Sequence, residues 1–488
     1  MSFGGLYIAT SGLYANKKAL DTVSHNVANA NNPDYVRQRT IHAERSYLGV
    51  GTQYKIGTGV DVQQIGQIRD EFLDADYRRK LSTFGYYEAK SEVLEEMEYI
   101  FREIKTPDML ASGALQDIMD DFWDGWSELY KDPESLTIRG VLHERGVAFA
   151  TTTKHIYTQL ENMQENLNKE MLNKAKEVNG LLYDINKLNE SIKVQETEGP
   201  HIKSNDLRDI REAKIDRLVE LIPIHYYENN QSEMVISLNG RSLVNGDYFN
   251  PIEIRMNSKG HGEIYYSDTG DKIELANGGE LSGYIHGRDT EVVEYMDRLN
   301  ILVKTLADEI NKIHEGGWGL VAESTGNDFF NFDEANPAAT IIVNPELNDY
   351  NKIAVSKSHY TDDSGKEIGI KGDGEIIKDI LALREDLLFD KYNSEDSTKP
   401  LEEKSLNIDG FYRDLIMSLG IKREEAREIA YSQELLMKQI DERRQEVSAV
   451  SMDEEMTNML KYQHSYIANS RVINAVDEMI DIIINLIR

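Results

Sequence analysis

The sequence contains no cysteine. That excludes disulfides, thiolate metal sites and a cysteine nucleophile, and it leaves a chain that can stay unfolded in an oxidising space without mispairing. Positive charge is scarce: 54 Lys and Arg stand against 86 Asp and Glu, a formal net charge of −32. Such a surplus repels nucleic acid and anionic membrane surfaces, so neither is an expected partner. No apolar run approaches the ~18 residues of a membrane-spanning helix, and the most apolar stretch, Met479 to Ile487, is broken by Asp481 and Asn485. The opening Met-Ser-Phe-Gly-Gly-Leu has neither a basic leader nor an apolar h-region. Export, if it occurs, is therefore expected by a route that cuts no signal peptide. Proline is absent between Glu134 and Gly199, which leaves room for one long helix. At 488 residues the chain can form roughly two to four domains, each with its own core.

What the sequence does have is two helical strips at its ends. Leu6, Leu13, Leu20 and Val27 recur every seven residues, with Ala9, Asn16, Val23 and Ala30 interleaved. This is the a/d seam of one helix, expected to end near Asn31-Asn32-Pro33 because the residue before proline is pushed out of the α region. At the other end Met459, Tyr466, Ile473, Ile480 and Ile487 step by seven, with Tyr462, Asn469, Val476 and Ile483 in the second seam position. A narrow seam on a lone helix gains little until another helix covers it. The simplest solution pairs the two ends, loops the middle out, and leaves residues such as Tyr7, Tyr14 and Met456 for neighbouring copies. The same pattern also fits an intramolecular hairpin in a monomer. Asn16 and Asn469 either set the register from within the seam or face solvent. Uncovered strips are expected to be disordered in the free monomer, because they cannot offset their ordering entropy.

Between the ends the expected fold is mainly α with β-rich inserts. Residues 1–33 with 450–488 form a coiled-coil-like terminal domain. Residues 34–75, punctuated by glycines, read as an extended β arm. A helical middle domain takes in 76–220, 291–316 and 407–449, with interruptions expected near Gly140, Gly146 or Gly180. Residues 221–290, with two Asn-Gly turn signals, read as β, and the turn-rich, acidic 317–406 as a separate outer lobe.

Signals for chemistry are weak. His314-Glu-Gly-Gly-Trp lacks the second histidine of a zinc-protease helix, and His314 reads instead as a helix-end residue whose charge suits the C-terminal dipole. Asp373-Gly-Glu and Asn331-Phe-Asp-Glu lack a complete calcium loop. Trp123 and Trp126 sit at core spacing, and Asp453-Glu-Glu suits a helix N-terminus. No catalytic, cofactor-binding or metal-binding residue is assigned, and an enzyme is not expected.

The wording of the sequence goes further than its periodicity. Ser11-Gly-Leu-Tyr-Ala, followed by Leu20-Asp-Thr-Val-Ser-His-Asn-Val-Ala-Asn-Ala-Asn-Asn-Pro-Asp-Tyr-Val-Arg-Gln, resembles the N-terminal signature of flagellar axial proteins. Its carriers are Ser24, His25, Asn26, Asn29, Asn31, Pro33 and Tyr35, with Asp453, Glu454 and Glu455 at the C-terminal end. Phe122-Trp-Asp-Gly-Trp, Asn205-Asp-Leu-Arg-Asp-Ile-Arg, Gly278-Gly-Glu-Leu-Ser-Gly and Tyr462-Gln-His-Ser-Tyr resemble, in order, the hook-associated family of the hook–filament junction. Two positions depart from the family pattern, Asp34 and Ala449 replacing glycines. A positive-φ turn is expected to be kept at Asp34, and helix is expected at Ala449. The resemblance implies a structural subunit needed for filament assembly and motility, with no cofactor. It implies self-association in a layer, contacts with hook protein, a second junction protein and filament, and an export chaperone at the C-terminal helix. It also implies type III export to the outside of the cell. Another axial protein with similar ends, or an added activity in 317–406, are the alternatives.

Overall fold

A computed structural model describes residues 4–50, 54–101, 115–197, 203–322, 324–362, 365–390 and 405–487. Parts of the expected middle domain (102–114) and outer lobe (391–404) lie outside them. The chain divides into two compact units, one built from residues 1–86, 172–282 and 430–488, the other from 87–171 and 283–429. Among the described residues no helix is long and apolar enough to cross a membrane.

In the first unit, α1 (Gly4–Ala28) leads into an arm of β1 (Gln38–Glu44), β2 (Leu48–Val50), β3 (Tyr54–Ile56) and β4 (Val60–Gln67). β1 pairs antiparallel with β4, with a bulge at Ile41/His42, and β2 with β3. The helix α2 (Glu71–Phe101) follows. It begins within the range expected as arm, where Asp70 accepts hydrogen bonds from the free N–H groups of Phe72 and Leu73 as an N-cap does. After α3 (Leu115–Lys131), α4 (Leu136–Thr197) runs unbroken through all three glycines at which interruptions are expected. Gly140 faces the Tyr350 ring and Gly146 faces Phe329 and Val343, so these glycines serve close packing, not chain reversal. α5 (Asn205–Leu221) precedes an antiparallel sheet of β5 (His225–Glu228), β6 (Met234–Leu238), β7 (Arg241–Asn245) and β8 (Tyr248–Phe249). Asn239 and Gly240 join β6 to β7 with φ of 48° and 80°, as a type I′ turn requires. β9 (Ile252–Met256) and β10 (Gly262–Tyr266) form a further hairpin.

Helix returns earlier than expected, at α6 (Glu280–His286). A π-helical turn (Gly287–Glu291) carries it into α7 (Val292–Glu315). The extra residue of such a turn accompanies two inward charges, Arg288 on Asn168 (2.7 Å) and Glu291 on Lys90 and Lys422 (both 2.9 Å). The second unit packs around Phe122, Trp123, Trp126, Phe149, Phe329 and Phe330, with Leu299, Leu302, Val303 and Leu306 of α7. Short elements of the segment expected as a separate outer lobe, including α8 (Pro337–Thr340) and α9 (Glu375–Ala382), lie in that unit and add Ala338, Ile376, Ile377 and Ile380 to its core. α10 (Ile408–Ser448) and α11 (Met452–Ile487) close the chain. Ala449 lies in the bend between them, not in helix as expected, and Asp34 turns without positive φ. Neither position needs a glycine backbone.

His314 departs most clearly from expectation. It is buried, and burial lowers its pKa to about 4, so it carries no charge for the helix dipole.

Candidate assembly site at the paired termini

α1 and α11 pack against each other. Gly5 faces Val476, Gly12 faces Asn469, and Asn26 bonds to Glu455. The residue numbers of each pair add to the same total, as they must in an antiparallel pair that keeps register along the whole of α1. A Cβ on Gly12 would come within 2.9 Å of the Asn469 amide, closer than van der Waals contact allows. The helices therefore meet through an absent side chain.

On α1 the fully buried stripe is Ala9, Gly12, Ala15, Ala19, Val23 and Asn26, spaced at the 3- and 4-residue steps of one helix face. Leu6, Leu13, Asn16, Leu20 and Val27 are half-buried beside it. On α11, Met459, Tyr462, Tyr466, Asn469, Ile473, Val476 and Ile480 are half-buried, while the side chains of Ile483 and Ile487 lie outside the described residues. The two seam asparagines do not bond across the pair. Asn16 Nδ2 donates to Gly12 O (2.7 Å) and Asn469 Nδ2 to Ser465 O (3.0 Å).

The arm is fastened to α1 beside this stripe. Ser11 Oγ donates to Ile8 O (2.8 Å) and accepts from Val60 N–H (3.1 Å). Gly59 has φ +107°, and a Cβ there would collide with Ser11 Oγ, so the position admits no other residue without displacement.

At the far end of α1 a buried polar node joins chain segments hundreds of residues apart. Asn26, with no exposed surface, donates to Gln38 O (2.9 Å) and Glu455 Oε2 (3.0 Å). Its Oδ1 accepts from Tyr35 OH (2.8 Å) and Gln38 N–H (3.0 Å). Every hydrogen-bonding site of the amide that such a pocket can satisfy is used. Glu455, 2 % exposed, receives Arg37 Nε at 2.8 Å; Arg37 Nη1 reaches Glu454 at 2.6 Å, and the Arg37 N–H donates to Ser448 O at 2.9 Å. One arginine thus spans the bend between α10 and α11. Burial disfavours its charge, but the bonds to Glu454 and Glu455 outweigh that and raise its pKa. From α5, Asp209 accepts from Val36 N–H (3.2 Å) and Gln67 Nε2 (2.5 Å), and Asp206 meets His25 Nε2 (3.2 Å) and Gln38 Nε2 (3.0 Å). Burial pushes the Asp209 carboxyl up to about 7. Burial, with Asp206, Asp209 and Glu455 nearby, also raises the Tyr35 phenol.

Of the signature residues, the node gathers Asn26, Tyr35, Glu454 and Glu455. His25 and Asn29 border it, Asn29 donating to His25 O at 3.0 Å. Ser24, Asn31, Pro33 and Asp453 are exposed. Sequence reasoning did not single out Arg37, Gln38, Gln67 or Asp209. The signal was present in the wording Tyr35-Val-Arg-Gln and Asn205-Asp-Leu-Arg-Asp, but the Val36–Asp209 contact spans 173 positions and no local pattern reveals it. Beyond the node, both helices keep large apolar side chains in solvent: Tyr7 (69 %) and Tyr14 (63 %) on α1, Leu460 (55 %) and Ile467 (47 %) on α11.

Comparison with known proteins places this geometry. The flagella basal body rod protein family matches residues 6–35, the flagellar hook-associated protein FlgK helical domain 105–330, and the flagellar basal body rod FlgEFG protein C-terminal family 442–486. Flagellar hook-associated protein 1 of Salmonella typhimurium is 22 % identical over 98 % of this chain and 99 % of its own length. The solved structure of the flagellar hook junction protein FlgK from Burkholderia pseudomallei superposes with a TM-score of 0.60 at 11 % identity, over 78 % of this chain and 100 % of that one, a likeness of fold. Flagellar hook-associated protein 1 of Bacillus subtilis is 30 % identical across 99 % of this chain and 98 % of its own length, and on that likeness the chain belongs to the flagellar hook-associated protein 1 family.

Proposed function

We propose that this chain is the structural subunit of the layer joining hook to filament, and that α1 and α11 are its axial contacts. The observation that carries this is the exposure of Tyr7, Tyr14, Leu460 and Ile467 on helices that already cover one another. Apolar side chains concentrated on one rod-like element mark an interaction surface, and a contact repeated by a non-closing rotation builds a tube or a layer of one. The small-residue line of α1, flanked by the seam residues Leu6 through Val27, and the seam residues Met459 through Ile480 of α11 hold the pair, and the outward stripes meet neighbouring copies. The signature residues around Asn26 fix how the ends align.

In this reading residues 1–33 and 450–488 make the axial core, 34–75 the arm, and 76–220 with 291–316 and 407–449 the helical middle. Residues 221–290 make a β-rich segment and 317–406 a variable lobe. Hook protein lies on one side and a second junction protein and filament on the other. A chaperone holds the C-terminal helix before export through the flagellar type III apparatus. The role is structural and uses no cofactor. Deleting the gene tests it: cells should build hooks but release flagellin into the medium and lose motility. Loss of the hook itself would overturn the junction role.

A further inference from the structure

Two buried basic side chains hold the same short segment of the outer lobe. Arg139 of α4 has no exposed surface and donates to three carbonyls: Pro133 O (3.0 and 2.7 Å), Tyr350 O (3.3 Å) and Ile353 O (2.6 Å). His314, in the last turn of α7, takes the next link. Ala354 N–H donates to its Nε2 at 2.9 Å, and its Nδ1 lies 2.6 Å from Asn327 O. A backbone N–H can only donate and a carbonyl can only accept, so the ring is the neutral Nδ1–H tautomer with its lone pair on Nε2. The Phe329 ring stands edge-on to it at 5.6 Å.

We propose that Arg139 and His314 form an acid-opened clasp on the lobe. A solvent proton taken by His314 Nε2 removes the acceptor of Ala354 N–H, sets a second cation beside Arg139, and frees residues 350–354 with Phe329 and Phe330 behind them. The charged groups facing the ring are few. Asp328 favours the protonated ring and Arg139 opposes it; Glu315, next in α7, is engaged with Asp328; on the held segment Lys352 pairs with Glu346. Burial dominates these and keeps the ring neutral down to about pH 4, whereas a released histidine takes a proton near 6.5. Acid therefore weakens the hold on this segment, because the released ring takes a proton that the held ring refuses. In a subunit facing the outside medium this would alter the outer surface while leaving the axial core assembled. That consequence rests on the junction reading; the clasp does not.

Hydrogen exchange on the full chain tests it, comparing pH 7.5 with pH 4.5 after correction for intrinsic rates. In the unsubstituted protein, protection of amides 327–331 and 353–356 should fall roughly 50- to 100-fold at pH 4.5, while amides 295–306 of α7 keep theirs. His314→Gln retains an acceptor and a donor on one side chain but cannot titrate, and should show no selective loss at the lobe. A uniform loss in both proteins, or no loss in the unsubstituted one, would overturn the clasp. If His314→Gln is already unprotected at pH 7.5, the exchange rate of the His314 ring C–H, which reports ring protonation, decides the matter in the unsubstituted chain. A midpoint well below 6 supports the clasp and one near 6.5 refutes it.

Discussion

Replacing Asn26 by Asp turns a buried donor facing Glu455 into a second carboxylate about 3 Å from the first. Two like charges at ~4 Å in a partly buried site repel by about 4 kcal/mol. The Gln38 carbonyl also loses its donor, at about 1–3 kcal/mol. Arg37 offsets part of this, so a net cost near 4 kcal/mol is expected at pH 7. Glu455→Gln alone removes one Arg37 partner but leaves Glu454, and should cost about 1–3 kcal/mol. In the double variant the new amide at position 455 donates to the new carboxylate at position 26, which still accepts from Tyr35 OH and Gln38 N–H, and the repulsion is gone. The two changes should then be coupled by about 3 kcal/mol in the favourable direction. Because the chain has two units, global unfolding would blur the effect. Native-state hydrogen exchange read over residues 19–30 and 452–462 isolates the local opening. Additive effects, with coupling below about 0.5 kcal/mol, would show that Asn26 and Glu455 do not act on one another and that the node is not what aligns the ends.

Gly12→Leu should force α1 and α11 apart at Asn469 and cost about 2–3 kcal/mol, read as lost protection along both helices, with Gly12→Ala markedly milder because the Asn469 side chain can turn aside. Asp209 has its folded pKa raised from the ordinary range to about 7, so the native state holds the proton more tightly than the unfolded chain does. The stabilisation is complete below about pH 4 and is lost as pH rises through 7, by up to about 4 kcal/mol. Asp209→Asn should abolish that slope in pH-dependent exchange of residues 34–38, while an unchanged slope would assign it elsewhere.

The seven-residue steps made the two terminal helices legible, because a heptad face needs no knowledge of its partner. They could not tell that the innermost line of α1 runs through Ala9, Gly12, Ala15 and Ala19 with the leucines flanking it. Periodicity weighs large apolar residues, whereas close approach is set by small ones. The 62-residue α4 was visible in its proline-free stretch, but Gly140 and Gly146 looked like breaks because their packing partners, Tyr350 and Phe329, lie far along the chain. His314 was misread for a related reason: its end-of-helix position suggests a charge, and only the fold shows Ala354 and Asn327 closing over it. The node was half legible. Asn26, Tyr35 and Glu455 stand in the signature wording, while Arg37 and Asp209 gain their role only once the ends and α5 meet.

On the proposed function, the outward faces of the terminal helices join neighbouring copies in the flagellar axis. A photo-crosslinking residue at Tyr14 or Ile467, incorporated into the full chain and activated in isolated hook–filament junctions, tests it most directly. Adducts with further copies of this chain or other axial proteins are expected from both positions, and none from the same residue placed at exposed Tyr183 on α4. Junctions that assemble normally yet give no intermolecular adduct from Tyr14 or Ile467 would contradict it.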